Sequence, residues 1–223
     1  IRFPHNDMDA LDRILTEKRA QYDGALIVAD GVFSMSGEIV DLPGLVRLAS
    51  KHNCKLYIDD AHSTGVMGEH GRGTGAHFKL TDEIDIIMGT FSKSFASIGG
   101  FVAGQADVID YIKHVARSLI FSASIPPANV ATAQTALNIM KEEPQLVEQV
   151  NENGRFMREG LRSLGFDIGT SESPIVPIII GDDLLTFKTW RDLFDAGVFV
   201  NPVISPATAP GRQLLRTSYM ATH

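Results

Sequence analysis

The chain has 223 residues, of which 44% are hydrophobic, with 20 glycines and 10 prolines, the composition of an ordinary globular protein. Its formal net charge of −7 and the lack of any Lys/Arg block argue against a nucleic-acid partner. One cysteine, Cys54, excludes an internal disulfide and fits a reducing compartment, so we expect a cytoplasmic protein. No transmembrane run, secretory signal or Cys/His metal cluster is visible.

Apolar runs alternate with segments of helical period through the first part of the chain. In chain order we expect a helix over 7–20 capped by Asn6 or Asp7, a strand over 25–29, a helix over 42–53, strands over 56–58, 84–88 and 100–104, a helix over 107–117, a strand over 118–122 and a helix from 126 to about 164. Short apolar strands between helices predict an α/β fold, with a mostly parallel sheet covered by helices on both faces.

The pattern changes in the last third of the chain. We expect strands over 166–168, 175–180, 198–200 and 214–218, with a helix over 186–196, which together predict a smaller α+β unit. The boundary is placed inside the long helical stretch, so that 1–145 is part of a large domain and 146–223 part of a small C-terminal domain. Neither end has the pattern of a natural terminus, and we expect a longer protein.

Reactive side chains follow three of the predicted strands. Asp30, Asp59 and Lys93 come at or just after apolar runs, and the carboxyl ends of parallel strands meet at one edge of a sheet. Burying a lysine at a strand end is costly unless its amine has a partner or a function. An amine, an acid and nearby hydroxyls that can receive a phosphate are what pyridoxal phosphate (PLP) requires of a protein.

Each of these residues also has a structural interpretation. Asp59 could cap a helix, Lys93 could be a surface lysine, and His62 could be a satisfied structural histidine. Thr90 and Ser92 could belong to an ordinary hydroxyl-rich turn. Asp60 should point away from Asp59 and is interpreted as structural. The glycine-rich segment 68–75 lacks the ending of a P-loop and is interpreted as a flexible loop.

Five ordered motifs carry a resemblance to a known family. They are Asp-Gly-Val-Phe-Ser-Met-Ser-Gly (30–37), Asp-Asp-Ala-His-Ser-Thr-Gly (59–65), Gly-Glu-His-Gly-Arg-Gly (68–73), Gly-Thr-Phe-Ser-Lys-Ser (89–94) and Phe-Ser-Ala-Ser-Ile-Pro-Pro (121–127). Together they resemble the α-oxoamine synthases, which have the PLP-dependent transferase fold of type I. These enzymes condense an amino acid with an acyl-CoA, usually with loss of CO₂. The segments 98–104, 199–208 and 216–223 are most similar to bacterial serine palmitoyltransferases.

The resemblance implies a role for each candidate residue. Lys93 would be the Schiff-base lysine and acid–base group, Asp59 the partner of the pyridine nitrogen, and His62 and Ser34 would approach the phenolic oxygen. Thr90 and Ser92 would bind the phosphate, as would Ser122 and Ser124 from the neighbouring subunit of a homodimer with shared active sites. Arg216 would hold the substrate carboxylate, and Thr208 would line the substrate side. A ring-stacking histidine and a phosphate-binding turn are expected in sequence that precedes residue 1.

Several alternatives stay open at this point. The substrates could be L-serine and palmitoyl-CoA, which would give a 3-ketosphinganine-type product and bring the enzyme into peripheral contact with a membrane. They could instead be those of 8-amino-7-oxononanoate synthase, alanine with pimeloyl-CoA or its carrier-protein thioester, or those of 2-amino-3-ketobutyrate CoA ligase. A non-catalytic partner subunit is disfavoured because Lys93 and Asp59 are both present. An aminotransferase of the same fold is disfavoured by the 30–35 motif.

Overall fold

The computed structural model describes residues 1–223, which form two compact units. One unit contains Ile1–Val32 and Val40–Pro144, and the other contains Phe33–Ile39 and Gln145–His223. The short segment Phe33–Ile39 therefore belongs with the C-terminal residues, an assignment that no composition change in the sequence anticipates. No helix has both the length and the apolar composition that crossing a membrane requires.

The first unit contains six α-helices and a four-stranded sheet. The helices are α1 (Met8–Lys18), α2 (Leu42–Lys51), α3 (Thr74–Phe78), α4 (Ala106–Val115), α5 (Arg117–Ile120) and α6 (Pro127–Glu142), and the strands are β1 (Leu26–Asp30), β2 (Lys55–Asp59), β3 (Ile86–Thr90) and β4 (Gly100–Gly104). Strands β1, β2 and β3 are parallel neighbours, and β4 pairs with β3 in the antiparallel direction. This arrangement agrees with the expected mostly parallel sheet.

Local sequence signals set the helix starts in this unit. The Asp7 side chain accepts a hydrogen bond from the backbone N–H of Ala10, and Asp41 caps α2 in the same way through Gly44. Pro43 lies in the first turn of α2, where a missing N–H costs nothing. Helix α2 buries its Leu side chains and packs on β2, whose Leu56 and Ile58 are fully buried.

The second unit contains an antiparallel sheet and two helices. The elements are α7 (Gln145–Ser163), β5 (Ile175–Ile179), α8 (Asp183–Asp195), β6 (Asn201–Val203) and β7 (Leu214–Ser218), with strand order β5-β7-β6. Strand β7 is central, and its Leu215 is buried together with Val176 of β5. Strand β6 lies at an edge, where Pro202 is tolerated because its missing N–H breaks no interior ladder.

Two predictions in the middle of the chain were wrong. Residues 118–122 are not a strand: Arg117–Ile120 form the short helix α5, since a short apolar run does not distinguish a strand from a helix. The helix expected from 126 to 164 is two helices that are separated at Glu143 and Pro144. Proline restricts the residue before it, and Glu143 accordingly leaves the helical region, with φ −123° and ψ 60°.

Two predicted strands of the second unit are also absent. Residues 166–168 lie between Gly165 and Gly169, both at positive φ, and the Asp167 carboxylate accepts the N–H of Gly169 in a local turn. Residues 198–200 form the segment that follows α8, where the N–H of Val198 donates to the Leu193 carbonyl. The strand begins only at Asn201. The Asp167 carbonyl accepts one hydrogen bond from the N–H of Ile179 in β5, but no ladder follows from it, and at 198–200 bonding to the end of α8 replaces pairing in a sheet.

Candidate active site

Two carboxylates lie side by side at the carboxyl edge of the parallel strands. Asp30 and Asp59 are the last residues of β1 and β2 and are paired in register, so their side chains extend from the same face of the sheet. The residue Asp30 is exposed, but partial burial of its carboxyl group and the negative charge of Asp59 raise its pKa. The positive charges of Lys93 and His5 act in the opposite direction and lower the pKa of Asp30.

Asp59 does not cap a helix, so the structural interpretation of this residue was wrong. Its carboxylate accepts the backbone N–H of Ala61 at 2.9 Å, and a turn rather than a helix follows β2. The bond orients the carboxyl group at the strand end and leaves its second oxygen available to a ligand. His62 is half-buried in the same turn.

Lys93 follows β3 by three residues and is exposed, so the cost of burying its ammonium does not arise. Its neighbours are fixed: Phe95 is buried, Phe91 donates to the Gly99 carbonyl at 2.9 Å, and Ser97 donates to the Phe91 carbonyl at 2.8 Å. An accessible amine on a well-held loop can react with a carbonyl compound.

Thr90 and Ser92 bring two hydroxyls together beside this loop. Their oxygens are 2.8 Å apart, and Thr90 Oγ1 also donates to the Gly99 carbonyl at 3.1 Å. The backbone N–H of Ser92 points to Thr90 Oγ1 at 3.3 Å. Hydroxyl groups arranged in this way can bind phosphate oxygens, and Ser92 is exposed.

Asp60 and the glycine-rich segment form an ordered structure, so the prediction of a flexible loop was wrong. Asp60 is 1% exposed, and its Oδ2 accepts the backbone N–H of Thr74 at 3.0 Å. Burial raises the pKa of this carboxyl group, and hydrogen bonding with Ser63 and Thr74 partly offsets that effect. Gly73 donates to the Met67 carbonyl at 2.9 Å, and the short helix α3 follows directly. Asp60 is structural, as expected.

Ser122 and Ser124 lie after α5 in an exposed segment, and the structure shows no hydrogen bond from either hydroxyl. They are on the first unit, as are Lys93 and Asp59. The residue before them, Phe121, is 83% exposed, and Leu119 and Ile120 are also exposed. Three consecutive apolar residues are therefore exposed directly before the two serines.

The remaining predicted residues lie in the second unit. Arg216 in β7 donates from Nε to the backbone carbonyl of Ser34 at 2.6 Å and from Nη1 to Ser218 at 3.3 Å. The structure therefore brings Arg216 and Ser34 together, although 182 positions separate them. Burial lowers the pKa of the Arg216 guanidinium. Thr208 donates to the Arg212 carbonyl at 2.9 Å, which is the contact of an ordinary loop hydroxyl.

Sequence reasoning gave no specific role to two residues that shape this site. Asp30 was noted only as a strand-end acid, although its register with Asp59 places it in the same cluster. Ser94, adjacent to Lys93, donates to the Thr64 carbonyl at 2.9 Å and joins the lysine loop to the turn that follows β2. The position of this serine directly after Lys93 could have drawn attention to it. Its hydrogen-bond partner, Thr64, is 30 positions away, so the sequence does not reveal the bond.

The fold and the site define an α/β protein in which an exposed lysine and two carboxylates lie at the carboxyl edge of a mostly parallel sheet. The chain belongs to the aminotransferase class I and II family, whose model matches residues 1–223. Its relatives include α-oxoamine synthases, in agreement with the resemblance of the five motifs.

Three relatives illustrate the similarity. The chain is 53% identical over 223 residues to a serine palmitoyltransferase of Sphingobacterium spiritivorum and 45% identical over 221 residues to an 8-amino-7-oxononanoate synthase of Treponema denticola. These matches cover 100% and 99% of this chain, and 56% of each relative. A solved structure of SPT (serine palmitoyltransferase) with a PLP internal aldimine matches with a TM-score of 0.95 at 36% identity, over 100% of this chain and 56% of that one. The chain thus spans little more than half the length of these relatives.

Proposed function

We propose that the full-length protein is a cytoplasmic, PLP-dependent acyltransferase that condenses L-serine with a long-chain acyl-CoA such as palmitoyl-CoA. The products would be a 3-ketosphinganine-type aminoketone, CO₂ and free CoA. One observation carries the proposal: Lys93 and Asp59 lie at the same edge of the sheet in a chain that is 53% identical to a serine palmitoyltransferase.

The side chains present fit the chemistry of pyridoxal phosphate. The exposed Lys93 amine can bond to its aldehyde carbon, the Asp59 carboxylate suits a protonated pyridine nitrogen, and the Thr90 and Ser92 hydroxyls suit its phosphate. When bound, the cofactor supplies an electron-accepting ring next to the amino acid's α-carbon. Once the amino group of the substrate has taken the place of Lys93 on the cofactor, the freed Lys93 amine would act as the base for the α-proton, and the negative charges of Asp59 and Asp30 would favour protonation of the ring nitrogen.

Arg216 is proposed to bind the carboxylate of the amino acid. Its Nε is occupied by the Ser34 carbonyl, which fixes the plane of the guanidinium and leaves donors on the two Nη atoms for a ligand. A planar, fixed fork of N–H groups binds a carboxylate through two hydrogen bonds. His62 and Ser34 are proposed to approach the cofactor, and Thr208 to line the substrate side.

A homodimer with shared sites is part of this proposal. The apolar side chains of Leu119, Ile120 and Phe121 are exposed directly beside Ser122 and Ser124, so a second subunit that covers them would bring those hydroxyls to an interface. Size-exclusion chromatography with light scattering of the full-length protein tests the dimer. A monomer at all concentrations would contradict it.

A comparison of amino-acid substrates tests the proposed reaction. Purified full-length protein with pyridoxal phosphate is given serine, alanine or glycine together with palmitoyl-CoA, and free CoA thiol and the aminoketone are measured. We expect serine to give the fastest thiol release and a product of the 3-ketosphinganine type. Release with none of the three amino acids would contradict the proposed function.

The 45% identity to an 8-amino-7-oxononanoate synthase supports a second candidate. In that case alanine with a pimeloyl thioester would be the productive pair. The same assay with pimeloyl-CoA distinguishes the two, since the acyl chains differ in length and in their terminal carboxylate.

A further inference from the structure

A side-chain hydrogen bond joins the loop that carries Lys93 to the turn that follows Asp59 and carries His62. Ser94 Oγ donates to the backbone carbonyl of Thr64 at 2.9 Å, and the bond is partly buried. Lys93 and Ser94 are adjacent in sequence, so this bond fixes the backbone next to the reactive amine.

Close packing at the same point reinforces the bond. A Cβ placed on Gly65 would lie 2.6 Å from Ser94 Cβ and 2.9 Å from Ser94 Oγ, closer than real side-chain atoms approach. Gly65 also has φ +80°, a conformation that residues with a side chain rarely adopt. The turn therefore presents the Thr64 carbonyl to Ser94 at a distance that only glycine at position 65 permits.

The turn itself is rigid with respect to the sheet. The N–H of Asp60 donates to the Met88 carbonyl of β3 at 2.8 Å, and the N–H of Thr64 donates to the Asp60 carbonyl at 2.9 Å. Gly65 donates to the Gly71 carbonyl at 2.7 Å. The Ser94 bond thus links the lysine loop to a segment whose backbone is held on β3.

We propose that Ser94 is a positioning residue for Lys93, which sets the place of the amine relative to the Asp59 carboxylate through the Thr64 carbonyl. The inference rests on the proposed function, because that function gives the amine–carboxylate spacing its chemical meaning. Ser94 does not itself touch the reacting atoms in this role. Losing its bond lets the backbone at Lys93 shift, which weakens cofactor capture.

Ser97 provides a matched control in the same loop. It lies three residues further on, and its hydroxyl donates to the Asn129 carbonyl of α6 at 2.7 Å, also in a partly buried setting, so it bonds to a helix instead of the turn after β2. Ser94→Ala and Ser97→Ala each remove one hydroxyl-to-carbonyl bond and should lower the thermal midpoint by similar amounts.

The test uses the full-length protein and three readouts: the dissociation constant of pyridoxal phosphate, the pH at which the visible absorption of the bound cofactor changes, and the thermal midpoint without cofactor. We expect Ser94→Ala to raise the dissociation constant by about 3- to 10-fold, the size of one lost hydrogen bond, and to shift the pH midpoint. Ser97→Ala should leave both near the parent values.

The outcomes distinguish the positioning role of Ser94 from the proposed function of the protein. If the parent protein binds pyridoxal phosphate and the two variants have the same affinity and pH midpoint, the positioning role is overturned while the proposed function stands. If the parent protein captures no cofactor on Lys93, the proposed function and the role of Ser94 both fall. A shift confined to Ser94→Ala supports the inference.

Discussion

Gly73 is a position at which a single methyl group should disturb the structure around the site strongly. Its backbone has φ +93° and ψ −170°, a region that is essentially restricted to glycine. A Cβ placed there would lie 2.1 Å from Oδ2 of the buried Asp60, the atom that accepts the Thr74 N–H. Gly73→Ala therefore combines backbone strain with displacement of a buried carboxylate.

The expected cost follows from these two effects. Forcing alanine into the glycine region costs about 1–3 kcal/mol. Moving the carboxylate away from Thr74 leaves a buried N–H without its acceptor, which costs about 1–3 kcal/mol more. A central total of about 4 kcal/mol corresponds to a fall in Tm of roughly 8–16 °C for a chain of this size.

Thermal unfolding followed by circular dichroism measures the effect, with Gly24→Ala as the control. Gly24 has no atom within 4 Å of the position of an added Cβ, and it lacks a positive φ. If Gly73→Ala lowers Tm no more than Gly24→Ala does, the reasoning is refuted. In the double variant with Asp60→Ala the steric conflict disappears, so the combined loss should be smaller than the sum of the two single losses.

Three further predictions concern the charged residues. Lys93→Ala should abolish the adduct that borohydride reduction forms with pyridoxal phosphate, as measured by mass spectrometry; an adduct of undiminished yield would refute the assignment. Folding raises the pKa of Asp30, so its stabilising contribution is complete below the unfolded pKa of about 4 and is lost as pH rises through the folded value. Asp30→Asn should thus raise Tm at pH 7, with a gain that shrinks towards pH 3, and a pH-independent gain would contradict this. Arg216→Ala should weaken amino-acid binding, measured by spectral titration, much more than cofactor binding; equal losses would reject the carboxylate role.

The sequence predicted the sheet well because its strands are short apolar runs. The observed β1, β2 and β4 lie within one residue of the expected spans, and β3 is displaced by two residues, to Ile86–Thr90. Because of that displacement, Thr90 is the last residue of the strand, and the end of the strand is only three residues from Lys93. Strand ends are less predictable than strands, because pairing with neighbours decides where a ladder stops.

Errors occurred where local pattern and tertiary context disagree. The run at 118–122 is apolar enough for a strand, yet Leu119 and Ile120 are exposed and helical, because a short apolar run does not distinguish the two structures. The glycine-rich segment was interpreted as flexible, because its own sequence does not indicate that it bonds to the buried carboxylate of Asp60.

The sequence by itself determined which functional groups the candidate site contains and their order along the chain. Asp59, His62 and Lys93 follow apolar runs, and hydroxyl groups lie near the lysine. These features depend on local composition and strand period, which a linear pattern records. Only the tertiary structure decided that Asp30 lies in register with Asp59 and that Ser94 is bonded to Thr64. Strand register and hydrogen bonds across 30 positions depend on how separate segments pack, and no local pattern encodes that packing.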